Sequence, residues 1–178
     1  MLTAHRLESA AEKNERLKCY FSLLTEGGKD FWVESSGLSM LPLFYRGIRV
    51  HIITEIDDPQ PGQIVVFHRE NKFIAHRIIS INHDTEQYTT KGDTLFFFDG
   101  PSSKEEFLGL VDLVERRGKI VSVQSDPELA HLSGKLGWIL LTKLHWLPDW
   151  IKFLFYFTVF LPGFAAIRSK RWLAPKKG

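Results

Sequence analysis

The chain has 178 residues, 44% of them apolar and 25% charged, with a formal net charge of +2. That length accommodates one ordinary core and a small appendage, and so weak a charge imbalance gives no electrostatic footprint for nucleic acid. Neither a zinc-ligand spacing nor a phosphate-cradling glycine loop occurs, so no metal or cofactor is expected, and the single cysteine, Cys19, has no partner for an internal disulfide.

Segment 1–30 reads as an amphipathic helix. Leu7, Ala11, Leu17, Tyr20, Phe21 and Leu24 recur among good helix formers from about residue 5 to 25, and Gly27-Gly28 stops the pattern. Glu8, Glu12, Lys13, Glu15, Arg16 and Lys18 interrupt it, leaving no apolar stretch suited to a cleavable signal or a membrane span.

From 31 to 125 the texture becomes short β-branched runs separated by turn residues. Strands are predicted at Phe31–Val33, Arg49–Thr54, Gln63–His68, Phe73–Ile81, Gln87–Thr90, Leu108–Glu115 and Lys119–Val123, a compact, mostly β domain. Asp57-Asp58-Pro59-Gln60-Pro61-Gly62 is a turn, because its prolines fix φ and remove ladder donors.

Chemistry-bearing residues appear inside this domain in a fixed order. Ser39 lies in Ser36-Gly37-Leu38-Ser39-Met40-Leu41-Pro42, His76 in Ala75-His76-Arg77-Ile78-Ile79, and Asp93 in Thr90-Lys91-Gly92-Asp93, with Asp99 six residues on. A serine hydroxyl becomes a useful nucleophile when a base accepts its proton, and a carboxylate on the far imidazole nitrogen orients that base. Strand alternation puts Ile74, His76 and Ile78 on one face and Ala75, Arg77 and Ile79 on the other. A neutral imidazole serves as base without the heavy tuning a lysine needs, with Lys72 and Lys91 as alternative bases. The spacing leaves Asp93 and Asp99 both open as the orienting acid. His51, His68 and His83 fall in no ligand spacing and read as bystanders.

These boxes resemble the signal-peptidase superfamily, nearest its Ser-His branch, which includes the endoplasmic-reticulum signal peptidase and archaeal relatives. Self-cleaving repressors of the SOS type share the core fold but use Ser-Lys. The resemblance spans roughly residues 31 to 125, implies a serine peptidase, and carries an aspartate at both positions 93 and 99, with Asp99 preferred for the triad. The Ser39 amide is the first oxyanion donor expected. Gly37 stands where many bacterial relatives add a hydroxyl, so a second donor is left to a backbone amide, Ser36 or Ser35. Thr94-Leu95-Phe96-Phe97-Phe98 replaces the polar, asparagine-containing sequence usual in the Ser-His branch.

Segment 126–178 is apolar, aromatic and basic. Fifteen uncharged residues, Phe153 to Ile167, cover about 22 Å of helix against a hydrocarbon core of about 30 Å. Trp138, Trp146, Trp150 and Trp172 suit interfacial anchors, and after Asp149 the chain has six basic residues and no acidic one. Peripheral or monotopic attachment to membrane lipids is expected, with a span and plain packing on the β core as alternatives. The β domain is expected on the cytoplasmic face, the reverse topology staying open.

The expected function is a serine endopeptidase that cleaves a signal or leader segment from a precursor protein or peptide, bound extended by β-augmentation. The alternative is a catalytically inactive, membrane-associated binding module on the same fold. A self-cleaving regulator is disfavoured, because about thirty residues leave little room for a DNA-binding unit and no Ala-Gly linker is present. The sequence carries no signal for an oligomeric state.

Overall fold

A computed structural model of the protein describes residues 30–69, 72–123 and 125–173. The helix expected over residues 5–25, with Cys19, lies outside the described residues. Seven strands follow: β1 (Phe31–Glu34), β2 (Arg49–Ile53), β3 (Ile64–Arg69), β4 (Lys72–Asn82), β5 (Gln87–Lys91), β6 (Phe107–Arg116) and β7 (Lys119–Ser122). They pair antiparallel in one sheet of order β1-β2-β6-β3-β4-β5, with β7 added to β6. The mostly β architecture expected from the sequence is what the structure has.

β3 explains the core. Ile64 and Val66 pack with Val50, Ile52, Val111 and Val114, whereas Val65 and Phe67 join Ile78, Tyr88, Phe107 and Leu110. Alternate residues of one strand thus enter two clusters, so its apolar run is unbroken because both faces are buried. Register shifts at His51/Ile52, Val66/Phe67 and Ile78/Ser80 bend the strands they interrupt.

Two helices complete the fold, α1 (Pro127–Thr142) and α2 (Asp149–Leu173). The Asp126 side chain caps α1 by accepting from the Leu129 amide at 3.2 Å, with Pro127 at the first position, where no donor is lost. Tyr156, Phe160 and Phe164 recur every fourth residue, so α2 presents one stripe to Leu129, Leu136 and Leu140 of α1. This hairpin is fastened to the loop after β5, described next.

Candidate active site

Ser39 sits on a turn whose neighbours are pinned in the core. Met40, Leu43 and Phe44 are buried in the cluster between β1 and β2, and the Leu43 and Phe44 amides both donate to the Met40 carbonyl at 3.0 Å. Burial of three apolar side chains on one side leaves the serine hydroxyl facing β4. There His76 Nε2 lies 3.1 Å from Ser39 Oγ.

The other imidazole nitrogen, Nδ1, is 2.6 Å from Asp99 Oδ2. A carboxylate only accepts, so Nδ1 carries the proton and Nε2 is left to accept from the serine hydroxyl. Thr90 Oγ1 donates to the same Asp99 oxygen at 2.7 Å, and the Asp99 amide donates to the Thr90 carbonyl at 2.9 Å. Phe67 meets the imidazole ring edge-on at 6.2 Å between centroids. His76 is 5% exposed, so its ring is held by packing as well as by hydrogen bonds.

Asp93 is turned elsewhere. It takes two hydrogen bonds from Arg77, Nε to Oδ1 at 2.8 Å and Nη2 to Oδ2 at 2.6 Å, while Arg77 Nη1 donates to the Gly62 carbonyl at 2.7 Å. Both side chains are almost fully buried. Burial pulls the Arg77 guanidinium down, but attraction and hydrogen bonds from Asp93 outweigh it and hold the group above its ordinary value. Asp93 thus anchors β4 to the loop after β5, and Asp99 alone of the two aspartates reaches His76.

Residues at the end of β5 and in the loop after it hold the Ser39 backbone in place. A Cβ on Gly92 would lie 2.8 Å from the Ser39 carbonyl oxygen and 2.9 Å from its Cβ, so only glycine fits there. The Thr94 amide donates to the Ser39 carbonyl at 2.9 Å, and Thr94 Oγ1 to the Leu38 carbonyl at 3.0 Å. Thr90-Lys91-Gly92-Asp93 therefore has a structural task at each position.

Lys91 points away from the serine into a buried cluster. Its Nζ donates to the Leu95 carbonyl and to Tyr156 Oη at 2.6 Å. Tyr156 in turn donates to the Asp93 carbonyl at 2.8 Å, so the Ser133 hydroxyl, 2.9 Å away, is the donor in its bond to Tyr156. Burial, opposed by Asp93 and Asp99, lowers Lys91 to about 7, and burial pushes the Tyr156 phenol up. Neither Lys91 nor any other described lysine is hydrogen-bonded to Ser39, and the Lys72 side chain lies outside the described structure.

The apolar run Leu95-Phe96-Phe97-Phe98 finds its reason in the same place. Phe96 packs with the α1–α2 cluster, and a Cβ on Gly137 of α1 would lie 2.8 Å from the Phe96 carbonyl and 3.3 Å from the Phe98 ring. Phe96 and Phe98 are thus covered by the helical hairpin, whereas Phe97 between them is 48% exposed.

A cleft of about 640 Å³ opens beside Ser39 and His76, lined mainly by apolar groups including Val33, Phe44, Val66 and Ala75. Ser35, Ser36 and Gly37 also border it. The Ser35 amide is committed to the Ile48 carbonyl at 2.8 Å, which removes it as an oxyanion donor. β1 ends the sheet, and β5 begins to pair with β4 only at Arg77. Ile74 to His76 thus has no strand on its outer side among the described residues. Elsewhere, His51 Nδ1 lies 2.7 Å from Asp112, His68 stacks edge-on with Phe73, and His83 is exposed.

Sequence reasoning overlooked Arg77, Thr90 and Tyr156. Arg77 and Thr90 stand inside the quoted motifs, but their partners are 16 and 9 residues away, and Tyr156 lies in a segment read only for its hydropathy.

Residues 3–88 match the family Peptidase S24-like. The matched stretch includes Ser39 and His76 and ends before Asp93 and Asp99. Together with the mostly β architecture it supports a serine-peptidase-like fold, within the superfamily that joins S24-type and signal-peptidase-like proteins. No curated protein matches the chain.

Proposed function

We propose that the protein is a serine endopeptidase of the signal-peptidase type, in the Ser-His branch, that removes a signal or leader segment from a precursor. The observation that carries this reading is the hydrogen-bonded chain from Ser39 Oγ through His76 to Asp99, set in the wall of an apolar cleft.

Ser39 Oγ attacks the scissile carbonyl while its proton passes to His76 Nε2, and Asp99 stabilises the imidazolium through Nδ1–H. The Ser39 amide supplies one hydrogen bond to the tetrahedral oxyanion. Collapse breaks the C–N bond, His76 gives its proton to the leaving amine, and water releases the acyl group from Ser39 by the reverse sequence. An extended precursor pairs its backbone alongside Ile74 to His76 and lays apolar side chains into the cleft. Asp93 and Lys91 take no proton in this scheme; they hold the loop that carries Asp99.

Protein amino termini are compared in host cells carrying the wild type or Ser39→Ala at equal expression. Loss of a defined set of processed termini in the variant is expected, and the residues flanking those termini name the substrates. Identical profiles, with an effect of whole-gene deletion retained, overturn the reading in favour of a non-catalytic module.

A further inference from the structure

The α1–α2 hairpin leaves an outward face that none of the other described residues covers. Trp138, Trp146, Trp150, Phe153, Leu154 and Val159 are exposed, Trp146 and Trp150 each by 69%. α2 is long and apolar enough to cross a membrane by length and composition, yet only 22% of its apolar window is buried, unlike a core helix. Lys152, the one charge between Trp150 and Ile167, is buried, pairing with Asp149 at 3.0 Å and lying over the Phe96 ring. Its burial keeps the outer face free of charge from Trp150 to Ile167.

Two further observations decide what covers this face and how. From Leu129 to Gly178 the sequence has eight Lys or Arg and a single acidic residue, Asp149, which matches an anionic surface and opposes a second, equally basic copy. α2 is also tied to the β domain part-way along by Tyr156, whose hydroxyl serves the Asp93 carbonyl, Lys91 and Ser133. Drawing α2 out as a span would take that partner from those buried polar groups.

We propose that the outer face of the α1–α2 hairpin docks in the plane of an anionic lipid surface, with α2 lying in the headgroup boundary and not crossing the bilayer. Tryptophan and phenylalanine insert at the boundary, and the basic residues meet lipid phosphate. The β domain and the carboxyl terminus then lie on one side. This inference is independent of the peptidase reading.

The test is co-sedimentation of the full chain with vesicles of phosphatidylcholine and phosphatidylglycerol, compared with phosphatidylcholine alone. The expected result is binding that favours the anionic vesicles, weakens in salt and falls at least about tenfold in the double variant Trp150→Glu, Leu154→Glu, whose positions are exposed and whose unchanged melting temperature reports intact folding. Binding unchanged by those substitutions overturns the proposal, as does a lipid-free dimer that the same substitutions dissolve. In sealed host-membrane vesicles, protease that reaches the β domain also removes a carboxyl-terminal epitope tag; a tag protected while the domain is digested, or the converse, establishes a span and overturns the in-plane arrangement.

Discussion

The Tyr156 hydroxyl donates to the Asp93 carbonyl at 2.8 Å, across 63 residues of sequence. A helix near the end of the chain is thereby fixed to the loop that delivers Asp99 to His76. Tyr156→Phe keeps the ring, and its stacking on Phe160 at 5.3 Å, but removes the hydroxyl. The Asp93 carbonyl, Lys91 Nζ and Ser133 Oγ each lose a partner, so a loss of about 1–3 kcal/mol is expected in denaturant unfolding. Turnover falls with little change in KM, because the loop and not the cleft is disturbed. Equal stability of the two proteins would show that the hydroxyl ties nothing together.

The two aspartates separate by their variants. Asp99→Asn preserves shape but no longer fixes the imidazole tautomer, so kcat drops by about 10⁴ with stability nearly unchanged. Asp93→Asn leaves the buried Arg77 guanidinium without its carboxylate, a loss of about 3–5 kcal/mol seen first in the melting temperature. Reversal of this pattern would exchange their assignments.

Lys91 makes stability depend on pH. Its folded value of about 7 lies below its ordinary 10.5, so the folded protein binds fewer protons than the unfolded chain between those limits, and stability rises with pH across that window. Below about pH 7 the amine is charged in both states and the whole penalty is present. The slope is at most about 1.4 kcal/mol per pH unit. Urea midpoints measured from about pH 7 to pH 9 should climb in the wild type and flatten in Lys91→Met; parallel curves would mean that the amine is not desolvated.

Gly92→Ala places a methyl 2.8 Å from the Ser39 carbonyl oxygen. Backbone cannot swing aside as a flexible side chain does, so the serine is displaced and kcat falls by about a hundredfold. A crystal structure of the variant should show Ser39 Oγ beyond hydrogen-bond reach of His76 Nε2.

What the sequence determined alone is whatever local periodicity encodes. The seven strands follow from β-branched runs and turn residues, because side-chain direction alternates along a strand wherever that strand ends up. Each observed strand lies within about two residues of its predicted run, as expected where only ends are ambiguous. The order Ser39, His76, then Asp93 and Asp99 was also legible, since a motif is a property of neighbours. The choice between the two aspartates was not. It depends on how the loop after β5 returns across β4, which the Arg77–Asp93 pair and the Thr90–Asp99 bond decide only in the folded chain. The departure at Phe96 and Phe98 likewise has no explanation until α1 and α2 are placed over that loop. A non-local contact has no signature in either of its ends, and only tertiary structure brings Tyr156 to Asp93.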